Sequence, residues 1–227
     1  MYFSISSSFL NINGVTMDKD YWSAFYKNRS AVNFPSSFAE FCFDNYINTG
    51  SKILELGSGN GRDALYFSEK QNHVIAVDQS IEVSGIEKGK KVTSPQKSNL
   101  EIINDDFVKC DYMQYIGVNV VYSRFTLHAI TLEEEQTVLA KTFQLLPSGG
   151  RFLVEARTTK DSLCGVGEHL GGNAYCTDHY RRFINTQDFI KLIMTIGFEI
   201  EYFIESVGLS VFKDEDPTLM RIILVKP

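Results

Sequence analysis

Ile53-Leu-Glu-Leu-Gly-Ser-Gly-Asn-Gly-Arg-Asp63 decides how this chain folds. Four residues of buried-strand character run into a glycine turn, and Arg62 onward reads as a helix. Glycines in such a turn permit φ > 0 and let a ligand approach the backbone where side chains would block it. A dinucleotide fingerprint, G-x-G-x-x-G, fits Gly57 and Gly59, but its third glycine falls at Arg62. The spacing present is instead E-x-G-x-G-x-G, with Glu55 closing the strand.

Outward from this turn, β-rich runs alternate with helical stretches, the pattern of a parallel sheet covered on both faces. Strands are expected at Lys52–Leu56, His73–Asp78, Leu100–Asp105, Val118–Ser123, Gly150–Ala156, Glu199–Val207 and Leu219–Val225. Helices are expected at Ser36–Ile47, where Glu40 stands near a capping-box position, and at Arg62–Gln71, Ser80–Val92, Leu132–Leu146 and Thr186–Ile196. Only the turn-like Lys213–Pro217 separates the last two strands, which implies a C-terminal antiparallel hairpin. The fold class is therefore α/β, a doubly wound, Rossmann-like seven-stranded sheet, mostly parallel. Residues 1–16 read as a loosely ordered extension, with Met17 a candidate natural start and 17–227 one domain. The stretch Arg157–Ile184 reads as a long irregular loop, Gly-rich and aromatic, suited to substrate contact.

Asp78 ends the second strand, where a carboxylate can accept both hydroxyls of a ribose. The order of Glu55, Gly57, Gly59, Gly61 and Asp78, followed by Ile102-Ile-Asn-Asp-Asp-Phe107 and Val120-Val-Tyr-Ser-Arg-Phe-Thr-Leu-His128, resembles the class I S-adenosylmethionine-dependent methyltransferases from about Tyr21 to Pro227. The resemblance implies S-adenosyl-L-methionine as cofactor. It places the amino-acid half at Glu55, Gly57, Ser58, Gly59 and Gly61, and the ribose at Asp78 and Gln79. Asp106 and Phe107, with Asp105 as competitor, would flank the adenine, and Ser123, Arg124 and Phe125 the methionine part. As structural alternatives, the turn could simply close a βα unit, and Asp78 or Asp106 could cap a helix or turn.

Methyl transfer requires an acceptor held against the methyl group, and a hydroxyl acceptor benefits from a general base. His128 and His179 are the catalytic candidates, although a His at a helix start is as readily a packed structural residue. Arg157, Tyr180, Arg181 and Arg182 could converge on an anion, since guanidinium binds carboxylate and phosphate in bidentate fashion. The plain alternative is that the arginines pair with nearby carboxylates. Tyr26 and Arg29, in the aromatic segment around Trp22, complete the substrate candidates as a possible lid over the cofactor.

The S-R-F-x-L-H-A-I and D-H-Y-R-R-F strings bear a weaker resemblance to small tellurite-resistance-like methyltransferases and to those encoded with capsule or surface-polysaccharide genes. That resemblance implies a sugar, sugar nucleotide or phosphorylated metabolite as acceptor. The rivals are a catalytically silent S-adenosylmethionine-binding regulator and an NAD(P)-dependent oxidoreductase, which Arg62 and the terminal hairpin disfavour.

A net charge of −6 disfavours nucleic-acid binding, and no N-P-P-Y motif for flipped bases is present, so a small-molecule substrate leads. Cys42, Cys110, Cys164 and Cys176 form no C-x-x-C pair, so no metal site is expected and reduced thiols in a cytoplasm fit best. Apolar runs are too short to span a bilayer, and no membrane association is expected.

Overall fold

The computed structural model describes residues 34–79, 91–94 and 97–227. Outside these lie the 1–16 extension, Trp22, Tyr26 and Arg29, and residues 80–90 of the expected third helix.

Along the chain run α1 (Ser37–Asn45), β1 (Lys52–Leu56), α2 (Arg62–Glu69), β2 (His73–Val77), β3 (Lys91–Ser94) and β4 (Lys97–Ile103). They are followed by β5 (Val120–Arg124), α3 (Leu132–Leu145), β6 (Arg151–Arg157), β7 (Glu168–Gly171), β8 (Ala174–Cys176) and β9 (Tyr180–Arg182). The chain closes with α4 (Thr186–Ile196), β10 (Glu199–Ser206) and β11 (Leu219–Val225). The main sheet has the order β10-β11-β6-β5-β1-β2-β4-β3. The five strands from β6 to β4 are mutually parallel.

All seven expected strands enter this sheet, and two details go beyond the expectation. First, the terminal hairpin ends the sheet with its second strand inward, β11 inserting antiparallel between β6 and the edge strand β10. Its near-continuous apolar run, Leu219-Met-Arg-Ile-Ile-Leu-Val225, suits a strand buried on both faces. Second, residues 91–92 belong to an edge strand rather than to the end of a helix. Val92 and Thr93 are β-branched and pair antiparallel with Ile102 and Glu101.

Alternation along the strands divides the core between the two faces. Leu54, Leu56, Val121 and Phe152 pack with Val138 and Leu139 of α3 and Phe189 and Ile193 of α4. Ile53, Val74, Val120 and Tyr122 pack with Phe38 and Cys42 of α1 and Phe67 of α2.

The helix starts follow from capping chemistry. Thr131 and Glu134 make a reciprocal capping box on α3, and Asn185 caps α4 through the amides of Gln187 and Asp188. Ser36 caps α1 by accepting from the Ala39 amide at 3.0 Å. Ala39, rather than Glu40, occupies the third helical position, so Glu40 is out of register for a box.

The stretch Arg157–Ile184 is not irregular. It folds into a small antiparallel sheet, β7-β8-β9. Its turns rest on glycines at positive φ, among them Gly167 at 96°, where a Cβ would stand 2.3 Å from the Cys176 carbonyl oxygen. All four cysteines are free thiols, Cys42 and Cys110 being buried. Among the described residues no helix is long and apolar enough to cross a membrane.

Candidate active site

The carboxyl ends of β1, β2, β5 and β6 open on a cavity of about 680 Å³. At its floor, the Gly57 amide donates to the Val77 carbonyl at 2.8 Å and the Gly59 amide to Asp78 Oδ2 at 2.7 Å. Asp78 thus braces the glycine turn and faces the cavity as well. Gly57 adopts φ 67°, and a Cβ there would stand 2.2 Å from Thr126 Cγ2. Both the backbone angle and the close approach of the β5 end exclude a side chain.

Glu55 is 4% exposed, and its Oε2 has no hydrogen-bond donor among the described residues. Burial, reinforced by Asp63 and Asp78, pushes its pKa well above the ordinary carboxylate range, against smaller opposing effects of Arg62 and Arg124. Asp63 is satisfied internally. It accepts from the Ser36 amide and hydroxyl, each at 2.7 Å, and from the Tyr122 hydroxyl at 2.9 Å. The Ser58 hydroxyl, like Glu55 Oε2, is buried and unbonded among the described residues. A cationic group entering beside Glu55 would satisfy its carboxylate. The ammonium and sulfonium of S-adenosylmethionine fit this donor-poor, acidic cradle.

Of the residues expected from sequence to contact cofactor, Glu55, Gly57, Ser58, Asp78, Gln79, Phe107, Arg124 and Phe125 line the cavity. Gly59 and Gly61 shape the turn behind it, Gly61 being the left-handed residue that opens α2. Asp105, Asp106 and Ser123 are not in the wall. Asp106 Oδ1 accepts from the Val108 amide at 2.9 Å, its Oδ2 pairs with Lys109 at 3.1 Å, and Asp105 accepts from the Asp106 amide. These carboxylates cap the turn that presents Phe107. Ser123 bonds its hydroxyl to that of Thr126.

Opposite the glycine turn, Glu155 of β6 is fully buried between two arginines in register on neighbouring strands. Arg124 Nε donates to it at 2.9 Å and Arg221 Nε at 2.6 Å. This row fixes Arg124, whose guanidinium lies 4.2 Å from the Phe125 ring centroid. Arg157 lines the cavity but is paired with Asp161 at 3.1 Å and with Glu215 at 3.0 Å.

His128 is buried, and its Nδ1 accepts from the Arg157 amide at 3.3 Å. A backbone N–H can only donate, so the ring proton resides on Nε2. Burial and then the nearby Arg157, Arg181, His179 and Arg182 hold its pKa well below the ordinary histidine value, so the ring is neutral. His179 also lines the cavity, its Nδ1 standing 3.0 Å from Asp178 Oδ1.

Arg181 lines the cavity as well, and its Nη1 donates to Thr177 Oγ1 at 2.8 Å and to Asp178 Oδ1 at 3.1 Å. Its neighbour Arg182, expected to act with it on substrate, does not line the cavity. The Arg182 guanidinium is used internally, on the carbonyls of Ile130 and Leu127, each at 3.0 Å, and on Glu135 at 2.6 Å. Adjacent residues on a strand point to opposite faces, which separates the two. Tyr180 is likewise absent from the wall.

The connection from β10 to β11 supplies wall residues that were not anticipated: Gly208 to Phe212, Glu215 and Pro217. Ser36, Ser37 and Asp178 join them. The available signal was length, since residues 207–218 far exceed the roughly 2–5 residues of an ordinary hairpin loop. The loop is anchored by Arg221 Nη2 donating to the Leu209 carbonyl at 2.6 Å and by the Arg157–Glu215 pair.

Residues 53–150 match the family described as the methyltransferase domain. The chain also superposes on solved methyltransferases at low identity. One is 1,6-didemethyltoxoflavin-N1-methyltransferase from Burkholderia thailandensis, bound to 1,6-didemethyltoxoflavin and S-adenosylhomocysteine (TM-score 0.64, 16% identity, 91% of this chain and 85% of that one). Another is a TehB-like SAM-dependent methyltransferase from Corynebacterium glutamicum (0.58, 16%, 92% and 98%). A third is the glycopeptide N-methyltransferase MtfA (0.61, 15%, 86% and 97%). No curated protein matches in sequence. Residues 53–150 thus carry a methyltransferase domain, and the chain as a whole has the fold of S-adenosylmethionine-dependent methyltransferases.

Proposed function

We propose that the chain methylates a small, anionic metabolite or sugar-related acceptor in the cytoplasm. The observation that carries this reading is the placement of Arg181 in the wall of the same cavity as the acidic pair Glu55 and Asp78, Arg124 and Arg157 there being paired with Glu155 and with Asp161 and Glu215. The cofactor, when bound, supplies a methyl group on a positively charged sulfur. Glu55 holds the ammonium, and Asp78 with Gln79 the ribose hydroxyls. Phe107 packs on the adenine, while Gly57 and Ser58 admit the amino-acid portion. Arg124 and Phe125, fixed by Glu155, border the reacting methyl.

The acceptor's anion lies against Arg181, whose bonds among the described residues are made by Nη1, so that Nε and Nη2 serve a ligand. The apolar side chains of Leu209, Val211 and Phe212 line the same cavity. A sugar-phosphate or phosphorylated acceptor, as in surface-polysaccharide precursors, is what the resemblance of the D-H-Y-R-R-F string implies.

The test is a transfer assay with labelled S-adenosylmethionine and a panel of sugar nucleotides, sugar phosphates and phosphorylated metabolites. Arg181→Ala should raise the KM of the methylated acceptor about tenfold or more while leaving cofactor affinity within about twofold. Preferential methylation of uncharged analogues would overturn the anionic reading.

A further inference from the structure

Two guanidiniums share one carboxylate at the edge of the cavity. Glu155 is fully buried and uses both oxygens: Oε1 accepts from Arg124 Nε at 2.9 Å and from the Ser210 hydroxyl at 3.1 Å, and Oε2 accepts from Arg221 Nε at 2.6 Å. Arg221 is used internally, its Nη2 donating to the Ser37 hydroxyl and the Leu209 carbonyl, and it does not line the cavity. Arg124 does line it. Its Nη2 donates to the Ser210 hydroxyl at 3.3 Å and the Phe125 ring lies 4.2 Å from its guanidinium carbon, while Nη1 has no acceptor among the described residues. The neighbouring Arg62 and Asp63, 3.6 Å apart, are matched one to one. Among the described residues the Arg124–Glu155–Arg221 row therefore holds one positive charge more than it balances, at the member that faces the cavity. Such a charge, held away from water, favours an anionic ligand.

The register of the sheet says which anion. Glu55 stands beside Tyr122, and Arg124 lies two residues beyond Tyr122 on β5, so Glu55 and Arg124 leave the same face of neighbouring strands about 7 Å apart along the strand direction. Glu55 Oε2 and the Ser58 hydroxyl are buried and unbonded among the described residues. An acceptor suited to a cation and a donor suited to an anion are thus side by side. Their complement is an α-amino acid, whose ammonium and carboxylate share one carbon. We infer that Arg124 binds the carboxylate of the cofactor's methionine moiety, and that with Glu55 it selects a cofactor carrying the intact α-amino acid over one that has lost the carboxylate. This rests on the methyltransferase reading above and adds to it the group that recognises the acid. A decarboxylated ligand keeps the adenosine and the ammonium but leaves Arg124 unmatched. Because Glu155, Ser210 and Phe125 hold the guanidinium in place, it loses little freedom on binding.

Calorimetry of the full chain with three probes tests this: S-adenosylhomocysteine, its decarboxylated analogue, which keeps the amine, and methylthioadenosine, which has neither group. Wild type should bind S-adenosylhomocysteine about tenfold or more tightly than the decarboxylated analogue. Arg124→Gln should weaken S-adenosylhomocysteine about ten- to a hundredfold and bind the decarboxylated analogue as tightly as before or more tightly, which abolishes the preference. Methylthioadenosine affinity, unchanged within about twofold, shows that the variant's site is folded. Arg124→Lys should recover part of the preference, and Arg62→Gln should keep it. Equal affinity of wild type for the acid and its decarboxylated analogue would overturn the assignment whatever the variants do. So would an Arg124→Gln chain that retains the preference, or one whose acceptor KM rises while its S-adenosylhomocysteine affinity stays at the wild-type value. Failure of wild type to bind either S-adenosylhomocysteine or methylthioadenosine would instead remove the methyltransferase reading beneath it.

Discussion

Replacing Glu55 by Gln should move stability and cofactor affinity in opposite directions. In the free protein Oε2 is buried without a donor among the described residues, and an unsatisfied buried group costs about 1–3 kcal/mol, more when charged. Glutamine keeps the shape and removes the charge, so at pH 8 the cofactor-free variant should be about 1–2 kcal/mol more stable. For a chain of this size that corresponds to roughly 2–4 °C per kcal/mol in Tm. The pH dependence has a definite sign. Burial raises the folded pKa of Glu55, so its contribution to stability is fully present below the unfolded value and is lost as pH rises through the folded one. The advantage of Gln is therefore small at acid pH and grows on going to pH 8.

Cofactor binding should respond the other way. Losing one charge-assisted hydrogen bond, worth about 1.5–3 kcal/mol, weakens S-adenosylhomocysteine by about 10- to 150-fold. Urea unfolding at pH 5 and pH 8, with calorimetric titration of the same samples, measures both effects. A variant that is destabilised without ligand, or that binds the cofactor like wild type, would refute the account of Glu55.

Other perturbations separate binding from architecture. In wild type, cofactor affinity should rise with pH through the raised pKa of Glu55, with protons released on binding; calorimetry in buffers of different ionisation enthalpy reads this directly. Asp78→Ala removes both the proposed ribose acceptor and the 2.7 Å brace on Gly59, and should weaken cofactor binding about tenfold or more by calorimetry. Arg182→Ala strands buried Glu135 and two carbonyls, and should cost about 3–5 kcal/mol in urea unfolding, in contrast to the KM effect of Arg181→Ala. Gly57→Ala should destabilise by about 1–3 kcal/mol, and Thr126→Ser in the same chain should recover part of that by removing the methyl that a Cβ strikes, with the φ of 67° left as the residual cost.

The parallel sheet and glycine turn were legible in the sequence because each rests on local chemistry: apolar runs, capping residues such as Thr131 and Asn185, and Gly57, where no other residue fits. What escaped depends on tertiary placement. The insertion of β11 beside β6 is visible only once Arg221 is seen to complete the row with Glu155 and Arg124. Glycine-rich composition suggested a loop at Arg157–Ile184, yet the same glycines make the turns of a small sheet that brings Asp178, His179 and Arg181 to the cavity. Arg181 and Arg182 are indistinguishable as a dipeptide, and strand alternation sends only the first to the cavity wall. Asp105 and Asp106 matched an adenine-contacting pattern, but their carboxylates are used in the turn before and after Phe107. The β10–β11 connection carries no motif, and only its length marked it as more than a turn.

Calorimetric titration of the full chain with S-adenosylhomocysteine and, separately, with NAD distinguishes a methyl-donor site from a dinucleotide site. One molecule of S-adenosylhomocysteine should bind per chain, weakened by Asp78→Ala, with no heat from NAD. Saturable NAD binding with none of the thioether would contradict the methyl-donor site.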